Sequence, residues 1–471
     1  MSDIVDLRSA LAALERHGGR IEEIDARLDP QLALLDDYLA SYRTSHGAWM
    51  SAEQPLRRYH APARGAFPVL LGVFGSRART RFWLDPDGRA DPRTPHGALL
   101  ADALARPLPP QPVRAPTPRH VVRDPDLRAW LPALTCSAGD PGPTVTLGLA
   151  YARDPVSGAA NASVHRITLK HGSATIALGS SGHLRRMLDA CVARGERLPV
   201  SINIGLDPAL YYAAALSAPA LGFGDDELAV AGALRGRPVG LAPCASQPGW
   251  CIDHAEIVLE GSLGAEQASE GDTPGGHAMP EYLGYYSPAG VVPVLAVSAL
   301  AYREGACYQA VSGPGREQSE LLGAGQEAAV WRVLQQGGAG SLVRDVGALA
   351  AGGGHLFTVL QCAPRDAGDD ARLREAARLA LEQVASTKNL VLVDADVQAH
   401  AADDVLWAIA TRCRLEHDLT VTGSLRGTSL DPTQSAEYCA GGVRGHTRKC
   451  VIDCLVPLDQ RARFRRAFSA A

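Results

Sequence analysis

The sequence has no CxxC pair. Its ten cysteines are scattered from Cys136 to Cys454, the nearest being Cys450 and Cys454, then Cys244 and Cys251. That spacing supplies neither a zinc knuckle nor a disulfide framework, so the cysteines read as small buried residues of a reducing compartment. No apolar run approaches the ~20 residues that span a bilayer. Only three lysines are present, Lys170, Lys388 and Lys449, and the formal net charge is -5. There is no basic field to neutralise phosphates, which argues against nucleic-acid binding. Residues Met1 to Arg20 are charged and amphipathic, without the apolar core of a signal peptide. The expectation is a cytoplasmic protein, in which the Asn161-Ala162-Ser163 sequon carries no meaning.

What is present is ordinary globular material. Hydrophobic residues make up 46% and charged residues 21% of 471 residues, enough for two or three domains. Asp6-Leu7-Arg8 opens an amphipathic helix that stops at Gly18-Gly19. Phe67 to Phe74 reads as a strand closing on the turn Gly75-Ser76-Arg77. The proline-rich stretch Arg106 to Arg119 reads as an extended linker. The middle is β-rich: Val145–Ala150, Ser163–Leu169, Ala174–Leu178, Val200–Ile204, Ala255–Leu259 and Val291–Ala299 are short apolar or alternating runs, as in a barrel or sandwich. Helices are expected around Gly182–Arg194 and Ala209–Ala218, and residues 261–276 read as a mobile surface loop. In the last third, helices at Gln326–Gln336 and Ala371–Ala385 and a buried strand at Leu390–Val393 indicate a second α/β layer.

Several segments could carry chemistry: Asp154 to Arg166, Gly182-His183, Asn203 to Pro208, Asp226 to Gly236, Ala255 to Gly261 and Glu281 to Tyr286. Singly, each has an ordinary structural explanation as a turn residue, a satisfied histidine or a helix-dipole charge. Their order is informative. The series resembles the UbiD family: an Asn-to-Arg segment, a Gly-His, an "IGxDP" turn, a "DELxxAGxLRG" segment, an "AEIVLEG" strand and a "GExxGYY"-like segment. The resemblance starts at Asp6-Leu7-Arg8 and Phe74-Gly75-Ser76-Arg77. It continues through Lys388 to Val397 and Trp407 to Arg412, and ends at Leu430-Asp431-Pro432.

The resemblance implies an α+β or α/β multi-domain fold. Residues 1–112 would form an N-terminal α/β segment and linker, 113–312 a split β-barrel binding prenylated FMN, and 313–471 a C-terminal α/β oligomerisation domain with its tail. It implies reversible, non-oxidative decarboxylation of an α,β-unsaturated or (hetero)aromatic carboxylic acid, with the flavin as electron sink. A flavin prenyltransferase would supply that cofactor, and the chain would form a homodimer or higher homo-oligomer. By resemblance, Asn161, His183 and Glu227 hold Mn2+ (or Mg2+), with K+ beside it. Ser163, Arg166 and Lys388 would join them around the cofactor. Arg166 is the catalytic arginine, able to grip a carboxylate at any working pH, and Glu281 the acid/base glutamate.

The sequence departs from the family at one catalytic position. Relatives read Glu-Gly-Pro-Phe-Gly-Glu, and aligned on Glu281 the first glutamate falls on Gly276. Either His277 or Glu270 is then expected beside Arg166, and His277 is favoured because it lies nearer in sequence. The tyrosine often preceding the arginine is His165 here. Two alternatives follow: a cofactor-binding relative without turnover, or an FMN enzyme of another reaction class.

Overall fold

The computed structural model describes residues 3–43, 50–179, 182–216, 219–270, 277–286, 289–434, 438 and 441–467. The chain divides into two compact units. One comprises Met1–Arg89, Ala103–Ala215 and Leu221–Gln318, and the other Ala90–Asp102, Leu216–Ala220 and Ser319–Ala471.

In the first unit, β-branched and alternating runs form long antiparallel strands whose pairing closes into a ring. Thr144–Arg153 pairs with Ala160–Lys170, which pairs with Ser173–Ile176. Ser173–Ile176 pairs with Val291–Tyr302, which pairs with Ile257–Ser269. Ile257–Ser269 pairs with Leu198–Ile204, and that strand returns to Thr144–Arg153. Side chains alternate across a strand, and one set fills the interior: Val145, Ile167, Ile176, Val200, Ile202, Leu259 and Leu295 are all buried. Each such side chain contributes about 1.5–3 kcal/mol on leaving water.

Two expectations are corrected here. Residues 261–269, read as loop, continue the strand Ile257–Ser269. Glycine, serine and glutamate lower strand propensity, but pairing to Val291–Tyr302 overrides it. Residues 271–276, including Gly276, lie outside the described residues. The proline-rich stretch is extended as its prolines require, yet it is no loose linker. Gln111 and Pro112 pair in parallel with Gly240 and Leu241, and Thr117 donates to Asp253 through its backbone N and Oγ1.

The second unit is a five-stranded mixed sheet ordered Val343–Ala348, Phe357–Cys362, Asn389–Asp394, His446–Asp453, Leu419–Arg426. Phe357–Cys362 and Asn389–Asp394 are parallel, so the chain must cross over between them. The helix Ala367–Gln383 makes that crossover. Its residues Leu373, Ala376 and Leu381 are buried, so this apolar face is already used by the unit's own core. The helix Arg316–Gln336 runs ten residues further back than its sequence suggested. It is buried on nearly every side from 321 to 330, which removes the amphipathic periodicity that marks a helix.

Candidate active site

Gly205, at φ +74°, lets the strand Leu198–Ile204 turn, and a Cβ there would collide with the Glu256 side chain. Asp207 then caps the helix Pro208–Ala214 by accepting from Ala209 N. The same carboxylate takes Nε and Nη2 of Arg235 at 2.7 and 2.5 Å. Arg235 ends the helix Glu227–Arg235, which Asp226 caps. This buried pair ties the two helices together and fixes the first residue of the second, Glu227. Removing one partner of such a pair costs about 3–5 kcal/mol.

Glu227 is 4% exposed and its partners are neutral. Asn161 Nδ2 donates to Oε1 and the backbone N of Ala162 donates to Oε2, both at 2.9 Å. Burial, only partly offset by these bonds, pushes the carboxyl up to about 7. A buried carboxylate with no cationic side chain on it suits a metal ion. Asn161, Ser163 and His165 alternate along the strand Ala160–Lys170 and meet on one face. Ser163 Oγ lies 2.9 Å from Asn161 Oδ1 and 2.8 Å from His165 Nε2. Asn161 and Glu227, two of the three expected ligands, are thus in contact. His183 opens the helix His183–Ala193 with its ring edge-on to Phe223. Burial and the nearby Arg186 lower its pKa, favouring the neutral ring a metal requires. Among the described residues no three His, Cys, Asp or Glu side chains meet as a metal cluster.

Arg166 lies further along the Asn161 strand. Its Nε and Nη2 donate to Oε1 and Oε2 of Glu270 at 2.5 and 3.2 Å, and Nη1 donates to Oε1 of Glu281 at 2.6 Å. Burial opposes its charge, but the two carboxylates hold its pKa above the ordinary guanidinium value. The partner favoured from sequence, His277, is not the one that meets Arg166. Its ring packs on Tyr286, 5.0 Å away, whose hydroxyl donates to Ser137 Oγ. The reason is the extended strand: Ile257–Ser269 delivers Glu270 at its end, where Glu270 N donates to Gly290 O. Glu281 lies in a turn closed by Gly284 N on its carbonyl.

Other motif residues build scaffold. Glu256 accepts Nε and Nη2 of Arg8 and Nη1 of Arg303, which also binds Asp6. Glu260 accepts from Ala245 N and Ser246 N. Lys388 lies in the second unit, where its ammonium bonds Asp431 and Thr433 at 2.7 and 2.6 Å. Sequence reasoning missed the contact of His165 with Ser163, although period-two spacing along a strand was its signal.

Residues 111–316 match the 3-octaprenyl-4-hydroxybenzoate carboxy-lyase Rift-related domain, and residues 319–454 the C-terminal domain of the same enzyme. The chain is 30% identical to a gallate decarboxylase of Lactiplantibacillus plantarum, over 98% of this chain and 96% of that one. It is similar to the apo structure of a 3,4-dihydroxybenzoic acid decarboxylase from Enterobacter cloacae, with a TM-score of 0.89, 34% identity and coverage of 100% and 98%. The UbiD-class enzyme HmfF from Pelotomaculum thermopropionicum, in complex with FMN, aligns at a TM-score of 0.84 with 27% identity, covering 98% and 97%. An evolved dimeric form of HmfF, in complex with prFMN, aligns at 0.81 with 25% identity, covering 99% and 97%. The match spans both units in sequence and structure: this chain belongs to the UbiD family and is a carboxy-lyase of the UbiD type.

Proposed function

We propose that the chain decarboxylates an aromatic carboxylic acid without net oxidation, using prenylated FMN and a divalent metal, Mn2+ or Mg2+, with K+ beside it. Relatives named for gallate and 3,4-dihydroxybenzoate make dihydroxylated and trihydroxylated benzoates the first class to test. When bound, the prenylated flavin supplies the electron sink that departure of CO2 requires.

The observation that carries this reading is Arg166 held between Glu270 and Glu281. Glu270 grips the guanidinium through two bonds and orients it, while Glu281 holds it through one. Two carboxylates share one cation, so one of them is free to leave it without stranding the arginine's charge. The singly held Glu281 is the group that turns to the substrate and returns a proton to the carbon that CO2 leaves. Arg166, fixed by Glu270, keeps Nη1 for the substrate carboxylate once Glu281 has moved. Asn161 Oδ1, the Glu227 carboxylate and His183 would hold the metal. Ser163 is assigned to the cofactor with them, and segment 113–312 to its binding.

The chain is proposed to act in the cytoplasm as a homo-oligomer, built through residues after 313. No helix among the described residues is long and apolar enough to cross a membrane. The test is co-production with a flavin prenyltransferase, then measurement of CO2 release from 3,4-dihydroxybenzoate, gallate and furoate. Release that tracks modified-flavin content is expected. Protein loaded with modified flavin that releases no CO2 from any benzoate, heteroaromatic or acrylic acid would sink the reading.

A further inference from the structure

The hydrogen bonds from His165 to Glu227 are one hydrogen short. Ala177 O only accepts, so His165 Nδ1, 2.9 Å away, carries its hydrogen. Burial, with Arg166 close by, lowers the His165 pKa to about 4, so the ring is neutral and Nε2 presents a lone pair. At the other end Glu227 accepts from Asn161 Nδ2 and Ala162 N. With Glu227 ionised, as a metal ligand must be, the bond from Asn161 sets the amide orientation and turns Asn161 Oδ1 towards Ser163. Ser163 has one hydroxyl hydrogen and two acceptors within reach, His165 Nε2 at 2.8 Å and Asn161 Oδ1 at 2.9 Å. An imidazole nitrogen is the more basic of the two, so the hydrogen goes to His165.

We propose that His165 is a positioning residue that takes the Ser163 hydroxyl hydrogen and so leaves the Asn161 carbonyl oxygen bare to bind the divalent metal. This rests on the assignment of Asn161 and Glu227 as metal ligands. Two oxygens 2.9 Å apart with no hydrogen between them repel one another, and a cation on Asn161 Oδ1 relieves that repulsion. Without the imidazole, Ser163 would give its hydrogen to Asn161 and compete with the metal.

The test is Mn2+ binding by the FMN-mixed protein, read by electron paramagnetic resonance of free Mn2+. His165→Phe should bind about 10- to 100-fold more weakly, the range for losing a group that orients a ligand. Ser163→Ala, which itself removes a side chain assigned to the cofactor, should bind more tightly than His165→Phe, and His165→Phe/Ser163→Ala should match Ser163→Ala. A packing role for His165 predicts the opposite, a double variant at least as weak as His165→Phe. That result, or an unchanged His165→Phe, overturns the proposal. Nitrogen-15 spectra of the metal-free parent are a second test that no folding defect can confuse. A ring protonated on Nδ1 alone is expected, and a hydrogen on Nε2 overturns the proposal. Glu227→Ala is the control for the underlying assignment. If it binds Mn2+ as the parent does, the ligand set itself is wrong and this inference goes with it.

Discussion

Arg166 and Glu270 stand 104 residues apart in the chain, yet they meet through two hydrogen bonds on one side of the guanidinium. The fork geometry fixes the plane of the arginine and points its remaining nitrogen at Glu281. Glu270→Ala should therefore lower kcat/KM by about 100-fold or more, comparable with losing a positioned charge in a reacting site. His277→Ala should cost less than about tenfold, because its ring meets Tyr286 and not Arg166. Steady-state kinetics on the flavin-loaded variants decide between them. Equal losses would mean that the Arg166–Glu270 pair does not set the arginine.

Glu281→Gln keeps the shape of the side chain and its place beside Arg166 but removes the exchangeable proton. Turnover should fall by about 100-fold or more, with the flavin absorbance of the purified protein unchanged. A variant that turns over at the parental rate would show that the proton comes from elsewhere.

The pH dependence of stability has a separate, testable source in Glu317. Its carboxyl is fully buried, with Oε1 accepting from Phe74 N, and burial pushes it up to about 7 from 4.5. Between those values the folded state holds a proton that the unfolded chain has released. Stability therefore falls as pH rises through that window, by up to about 3 kcal/mol from this group. Glu317→Gln has no charge to bury. Urea unfolding at pH 5 and pH 8 should show the variant gaining on the parent at the higher pH. A parent-minus-variant difference that does not change with pH would contradict this origin.

The proposed oligomer has a surface to test. Leu415, Val421 and Val443 in the second unit are 60%, 56% and 59% exposed, large apolar groups that a partner would cover. Light scattering should give a dimer or larger species for the parent. Leu415→Glu with Val421→Glu should shift it to the monomer. A parental monomer at micromolar concentration rules the assembly out.

Much of this was legible in the sequence because it is local. A helix before Gly18 and a strand turning at Gly205 follow from residues within a few positions of one another. The ordered motifs gave the family, whereas the common face of Asn161, Ser163 and His165 went unread although their period-two spacing along one strand signals it. Tertiary structure decided what depends on closure of the ring. Residues 261–269 became strand only because Val291–Tyr302 pairs with them, and that pairing carried Glu270, rather than the sequence-near His277, to Arg166. The proline-rich stretch became a sheet edge because Gly240–Pro243 accepts it. Propensity and spacing act over a few residues, whereas register is set by partners far along the chain. For this protein, the sequence determined which residues were available for the chemistry, and the strand pairing decided which of them touch.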